Sequence, residues 1–408
     1  MRYTTMRKLL ALLLITLAPC VQAQDDIVLD IINAVEIDSM MKFVGELSGE
    51  VPVDLGDGPV TIVSRHKNNA GNALAEAYLA QKLTQFGYTP EIETFSATGR
   101  NVLATKVGMT HPEEIVVLCA HYDAMPSGMF AAPAADDDGS GCGALLEAAR
   151  ILRDVPFEYT IVFAFWDEEE QGLVGSAFYA SHMAADDELI KGVINMDAIA
   201  YDGNADKKCR VHVRPIANSG TLADTVFAVM DRYDIDLDLL RTEPGATYSD
   251  HASFWNNGFS AILMIEEFGA DGNPHYHTPT DLVQYFDVPY YEKLAKLSIG
   301  SFAATAVPFN TSSGLASNSA RSMNSMYAYP NPTEYNATAW LDLAFGARYR
   351  VVVLNTMGQE LAILHDGPLA AGKHGFQLPL ERVAPGPYSV VARSSDRTVL
   401  STRVVRTP

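Results

Sequence analysis

The chain is poor in cysteine and in cations, and after its first residues it has no long apolar run. Only four cysteines occur among 408 residues. Cys119, Cys142 and Cys209 show no zinc-finger spacing and cannot form a disulfide framework. They read as small core residues, with one pairing among them left open. Lys and Arg number 29 against 50 Asp and Glu, for a net charge of -21, which argues against nucleic acid or anionic membrane as partners. Beyond residue 23 no segment approaches the roughly 20 apolar residues that cross a bilayer, so no membrane span is expected. A G-x-S-x-G elbow is also absent, which removes the usual mark of a serine hydrolase. No internal repeat is visible.

What is present begins with a leader. Arg2, Arg7 and Lys8 precede an apolar run from Leu9 to Ala18, and Val21-Gln22-Ala23 forms a small-residue cleavage signal. Residues 1–23 are predicted to be a secretory signal peptide, and Pro19 disfavours a lipoprotein reading through Cys20. Residues 24–306 alternate short apolar runs with helical patterns, as in an α/β layered domain. "EIVVLCA", "YTIVFAFW", "GVINM" and "FSAILMI" are nearly continuous apolar runs, expected of central strands covered on both faces. "NALAEAYLAQKLTQFG" has helical spacing and a natural stop at Gly87. Residues 307–325 are rich in Ser and Asn and read as a linker. From 326 to 408 only short alternating runs broken by turn clusters remain, the pattern of a small all-β, Ig-like sandwich.

The chemistry gathers behind the apolar runs. His121 and Asp123 follow the first, Asp167 to Glu170 the second, Asp197 the third, and Glu266 and Glu267 the fourth. In open α/β sheets this is where ligands bind. "PAADDDGSG" adds consecutive aspartates with no cation near to neutralise them. "DDDGSGCGALLE" has the spacing of a calcium loop, but "MPSGMFAAPAA" offers no leading helix. A helix cap accounts for one aspartate only. Together with His277 in "NPHYHTPTD", these residues supply imidazoles and carboxylates without thiolate, a donor set suited to Zn²⁺. A pair of divalent cations would neutralise the aspartate run.

In that order, "HYDAM", "APAADDDGSG", "DEEEQGLVGS", "NMDAIAYDG", "SDHASF" and "NPHYHTPTD" resemble the motif set of the co-catalytic zinc aminopeptidases, a family that includes bacterial leucyl aminopeptidases, glutaminyl cyclases and the protease-like domain of the transferrin receptor. The resemblance spans roughly residues 25–306. It implies the zinc exopeptidase fold, a mixed and mostly parallel central sheet flanked by helices. It also implies two Zn²⁺ per chain, with Asp136 bridging them, His121 and Asp197 completing one site, and Glu170 and His277 the other. Glu169 would be the general base, and the peptide bond after the bridging aspartate, Asp136–Asp137, would be cis. Asp123 is placed to orient His121, and Asp281 to act similarly near His277. Tyr248 is a candidate oxyanion donor. Leu263, Ile265, Phe268 and Tyr276 fall near the positions that line the family's side-chain pocket, pointing to peptides with a free and apolar amino terminus.

The reading that follows is a secreted di-zinc aminopeptidase. The alternative is a glutaminyl cyclase, which works with one metal and forms pyroglutamate. The C-terminal region, with "YPNP", "NTMGQE" and "GPYSVVARSS", resembles the sorting domain of the type IX secretion pathway. That resemblance implies recognition by the type IX machinery and a secreted or cell-surface location.

Overall fold

The computed structural model describes residues 27–309, except 129, 130 and 270, and residues 325–407, except 330, 332, 334–335, 344–346, 356–357, 371 and 395–398. The expected signal peptide and most of the expected linker lie outside the described residues. The chain divides into two compact units, Met1–Asn310 and Thr311–Pro408.

In the first unit a short hairpin, β1 (Val53–Asp54) and β2 (Pro59–Val60), precedes an eight-stranded sheet. Its strands are β3 (Glu91–Thr94), β4 (Arg100–Lys106), β5 (His111–His121), β6 (Tyr159–Trp166), β7 (Leu189–Met196), β8 (Lys208–His212), β9 (Asp238–Thr242) and β10 (Ala261–Glu266). They lie in the order β3-β4-β6-β5-β7-β10-β8-β9. The centre, β6-β5-β7-β10, is parallel, and antiparallel pairings enter toward both edges. The four apolar runs are these four central strands. Alternate residues explain their composition, because Val116, Leu118 and Ala120 of β5 join one apolar cluster while Val117 and Cys119 join another. Cys119, Cys142 and Cys209 are buried and free of disulfides.

Helices are α1 (Ile37–Leu47), α2 (Ala70–Gln85), α3 (Gly139–Leu152), α4 (Val174–Ala185), α5 (Ser219–Arg232), α6 (His251–Asn256) and α7 (Val288–Ala306). The Asn69 side chain caps α2 by accepting from Gly71 N. Its chain turns away through Gly87 at φ 94°, the stop that the sequence offers. Helix α3 runs through the middle of the unit and is buried from Gly139 to Ala149. A Cβ on Gly143 would stand 2.7 Å from Tyr291 Oη and from Val44 Cγ2, so α1 and α7 approach this helix too closely for a side chain there. Strand β5 has β6 on one side and β7 on the other. Successive connections therefore leave in opposite directions and open a crevice at the carboxyl ends of the strands.

The second unit is all-β, as its alternating pattern predicts. Strands β11 (Ser325–Tyr329), β12 (Thr338–Leu343) and β15 (Gly372–Gln377) form one antiparallel sheet. Strands β13 (Ala347–Leu354), β14 (Glu360–Leu369), β16 (Gly386–Ser394) and β17 (Val399–Arg406) form another, in the order β14-β13-β16-β17. Leu341 of the first and Val351, Val390 and Val404 of the second enter one apolar core.

Candidate metal centre

Every central strand delivers acid or imidazole to the crevice. Strand β5 ends at His121, Asp167–Glu170 follow β6, and Asp197 follows β7. His277 reaches the same place from the loop after β10, with φ 57°. His121 Nε2 lies 3.2 Å from Asp137 Oδ1 and 3.7 Å from Asp197 Oδ1. His277 Nε2 lies 3.0 Å from Asp137 Oδ2 and 2.9 Å from Glu170 Oε2. Two donor groups result, His121–Glu169–Asp197 and Asp137–Glu170–His277, each with its ligand atoms within 4.8 Å of one another.

Asp137, not Asp136, stands between the two histidines. The Asp136 carboxylate turns away, accepting from Ala200 N at 3.0 Å and from Asn273 Nδ2 at 2.9 Å. Asp138 is the cap of α3, accepting from Gly141 N, His121 N and Ala198 N. The aspartate run therefore divides its labour: the outer two fasten main chain, and the middle one projects into the crevice. The cis peptide joins Asp137 to Asp138, one residue beyond the expected Asp136–Asp137 bond.

Asp123 lies behind His121, with Oδ1 3.4 Å from its Nδ1. It also accepts from Glu169 N at 3.0 Å and Glu170 N at 3.2 Å, so one carboxylate joins the ends of β5 and β6. Asp281 does something other than expected. Its carboxylate accepts from the main-chain N–H groups of Asp136 and Asp137 and so holds the aspartate run, while His277 is met by Asp137 and Glu170.

A cavity of about 660 Å³ opens on this cluster. Ile265, Phe268, Tyr248 and Tyr276 line it, together with Thr247 and Leu173, which the sequence did not single out. Tyr276 stacks on His277 with ring centres 3.8 Å apart and meets Phe268 edge-on at 5.2 Å. The Tyr248 hydroxyl lies 3.4 Å from His212 Nε2. Leu263 is not part of the wall. It is fully buried within β10 between Asn195 and His212, a core residue.

The electrostatics are those of acids and imidazoles compensating one another. Burial alone would push the His121 imidazole down, but the carboxylates of Glu169, Asp123, Asp137 and Asp197 outweigh it and leave it well above its ordinary value. His277 is pushed up to about 10, burial being overcome by Asp137 and Glu170. Burial holds Glu169 well above the usual carboxylate range and, with the Asp137 charge, lifts Glu170 to about 7. Asp137 is pulled below that range, because both imidazoles outweigh its burial.

Asp137 Oδ2, Glu170 Oε1 and His277 Nε2 are nevertheless buried without a well-aligned hydrogen bond, the close approaches of His277 Nε2 to Asp137 Oδ2 and Glu170 Oε2 being ion contacts only. Unpartnered polar atoms that converge on one point fit a cation better than they fit one another. The donor chemistry, nitrogen and carboxylate oxygen with no thiolate, fits zinc.

Residues 101–301 match the sequence profile of Peptidase family M28. Among similar proteins, a probable leucine aminopeptidase of Trichophyton verrucosum (strain HKI 0517) is 32% identical over 228 residues, covering 53% of this chain and 58% of that one. The chain thus spans a little over half the length of that relative. The fold is shared with the LapA aminopeptidase of Legionella pneumophila, at a TM-score of 0.59 and 21% identity over 70% of this chain and 76% of that one. The glutaminyl cyclase of Porphyromonas gingivalis gives a TM-score of 0.55 at 20% identity, over 66% of this chain and 98% of that one. The matched stretch runs from β4 into α7 and contains both donor groups. Over residues 101–301, the stretch that carries both donor groups, this chain is similar to peptidase family M28.

Proposed function

We propose that the protein is a zinc aminopeptidase, secreted, that removes apolar residues from the amino termini of peptides with two metal ions per chain. The observation that carries this reading is the pair of donor groups on either side of Asp137, with Glu169 beside one of them. His121, Asp197 and one Asp137 oxygen would hold one zinc, and His277, Glu170 and the other Asp137 oxygen the second. Zinc held there would acidify a water and polarise the scissile carbonyl.

The remaining work falls to the chain. Glu169 takes a proton from the attacking water and hands it to the leaving amine, and its burial keeps its basicity high enough for the exchange. Asp123 fixes the His121 ring from behind while anchoring the main chain of Glu169 and Glu170. Ile265, Phe268 and Tyr276 offer an apolar wall to the first side chain of the substrate. The carboxylates of the same cavity favour its ammonium group. A cyclase works with one metal, so the second donor group supports the peptidase.

Metal-replete protein assayed on free and N-acetylated peptides tests this. Cleavage of free peptides alone is expected, and equal cleavage of blocked peptides would remove the aminopeptidase reading. Loss of ammonia from an amino-terminal glutamine, without hydrolysis, would favour the cyclase. For export, residues 1–23 serve as signal and residues 326–408 as a sorting domain for the type IX machinery. A chain lacking 326–408 should stay inside a host that carries that machinery, and its appearance in the medium would refute the sorting role.

A further inference from the structure

Arg65 lies between β2 and α2, and it is completely buried. It forms no ion pair among the described residues; main-chain carbonyls take its hydrogens. Nε donates to Tyr122 O at 2.6 Å, Nη1 to Leu47 O at 2.9 Å and Pro133 O at 2.7 Å, and Nη2 to Ala134 O at 2.8 Å. Tyr122 separates His121 from Asp123, and Pro133–Ala134 lead directly into the aspartate run. The carbonyl of Arg65 reaches a third segment. It accepts from Asn72 Nδ2 at 2.9 Å, the same amide nitrogen donates to Asp167 Oδ1 at 2.8 Å, and Asp167 opens the loop that carries Glu169 and Glu170.

A buried charge without a direct counter-ion is costly and is retained where its geometry is needed. Burial pushes the guanidinium down, opposed by the charges of Asp281, Asp138 and Asp123 around the crevice. A planar fork can hold carbonyls from separate segments at fixed angles, which an ammonium cannot do. The arrangement at this one residue joins the His121, Asp137 and Glu169–Glu170 segments at once.

We infer that Arg65 is a positioning residue that sets three cation-binding segments in register, side chain on two of them and main chain, through Asn72, on the third. The inference rests on the metal-centre reading above. A clamp of purely structural value would lower the stability of metal-free and loaded protein alike and leave metal affinity untouched. A positioning residue changes the affinity itself, as partners behind metal ligands do, by roughly 10- to 100-fold.

The test compares Arg65→Lys, which keeps the charge and loses the fork, with Asn72→Ala and with Lys106→Met. Lys106 Nζ donates to the carbonyls of Leu152, Arg153 and Val155, so it is a carbonyl-binding cation outside the crevice. For each variant of the full chain, cobalt(II) affinity is measured by chelator competition, the cobalt absorption spectrum is recorded, and the metal-free melting temperature is determined. Arg65→Lys should bind cobalt at least ~10-fold more weakly with an altered spectrum. Asn72→Ala should weaken binding less, and Lys106→Met should melt lower at unchanged affinity. Wild-type affinity and spectrum in Arg65→Lys would overturn the inference, as would an equal loss in Lys106→Met. Should Arg65→Lys not fold, unchanged affinity in Asn72→Ala overturns it. If the unmodified protein binds no cobalt, the metal-centre reading falls first and takes this inference with it.

Discussion

The two units bury opposite things. In the first, Asp123, Asp136, Asp137, Asp138, Asp167, Asp197, Asp250, Glu266 and Asp281 are all withdrawn from solvent. In the second, Thr333 is the one buried polar residue among those described, and the core is Leu, Val, Ala, Met and Tyr. An apolar core suffices to hold a small sandwich, so carboxylates massed in the other unit require a reason beyond folding. Most of them have main-chain donors. Of the exceptions, Asp137 and Asp197 meet the histidines of the crevice, while Asp250 is buried beside them with neither oxygen hydrogen-bonded.

If the buried carboxylates exist for chemistry, Glu169→Gln should show the largest effect, a loss of about 10²- to 10⁴-fold in turnover with both metals retained. Elemental analysis beside the assay checks this, and loss of metal together with activity would make Glu169 a ligand instead. Next comes the exchange of protons for cations. His277 is raised to about 10 and the carboxylates around His121 hold it above its ordinary value, so the metal-free site favours the charged form of both imidazoles. Zinc needs neutral imidazole and ionised carboxylate, so loading should release protons from both histidines and a further fraction from Glu170, which lies at about 7. The sign follows: affinity rises with pH through neutrality, and the stability that these charged histidines lend the metal-free protein is present below their unfolded pKa and lost as pH passes their folded values. Proton release in weakly buffered solution, with calorimetry in buffers of different ionisation enthalpy, measures it.

A smaller effect is expected at the fasteners. Asp138→Ala removes the α3 cap and leaves His121 N without its acceptor, which should cost about 2 kcal/mol in denaturant unfolding and weaken metal binding. Smallest for the chemistry is Leu341→Ala in the sandwich core. It should destabilise that unit by about 2 to 5 kcal/mol and leave turnover on peptides unchanged. A fall in turnover there would erase the division between the units.

Much of the crevice was legible because strand ends are legible. Nearly continuous apolar runs gave away the four central strands, and a polar residue directly after such a run must sit at the sheet's rim, which placed His121, Glu170 and Asp197. The aspartate run was not resolvable in this way. Three identical neighbours carry no sign of which one faces inward. The signal available was the helix start: "GSG" opens α3, Asp138 is its cap, and the residue before the cap is the one free to project. Leu263 misled for a different reason. It shares a face of β10 with Ile265, but it sits one pleat deeper, roughly 6.6 Å along the strand and below the floor of the cavity. Asp281 was read by its nearness in sequence to His277, whereas its bonds are to main chain some 145 residues earlier.

Zinc content per chain in Asp136→Asn and Asp137→Ala, measured after dialysis against trace metal, tests the central claim most directly. Asp137 accepts contacts from both histidines and Asp136 from neither. The account predicts about two zinc ions in the unmodified protein and in Asp136→Asn, and loss of the pair in Asp137→Ala. Two ions retained in Asp137→Ala, with loss in Asp136→Asn, would contradict it.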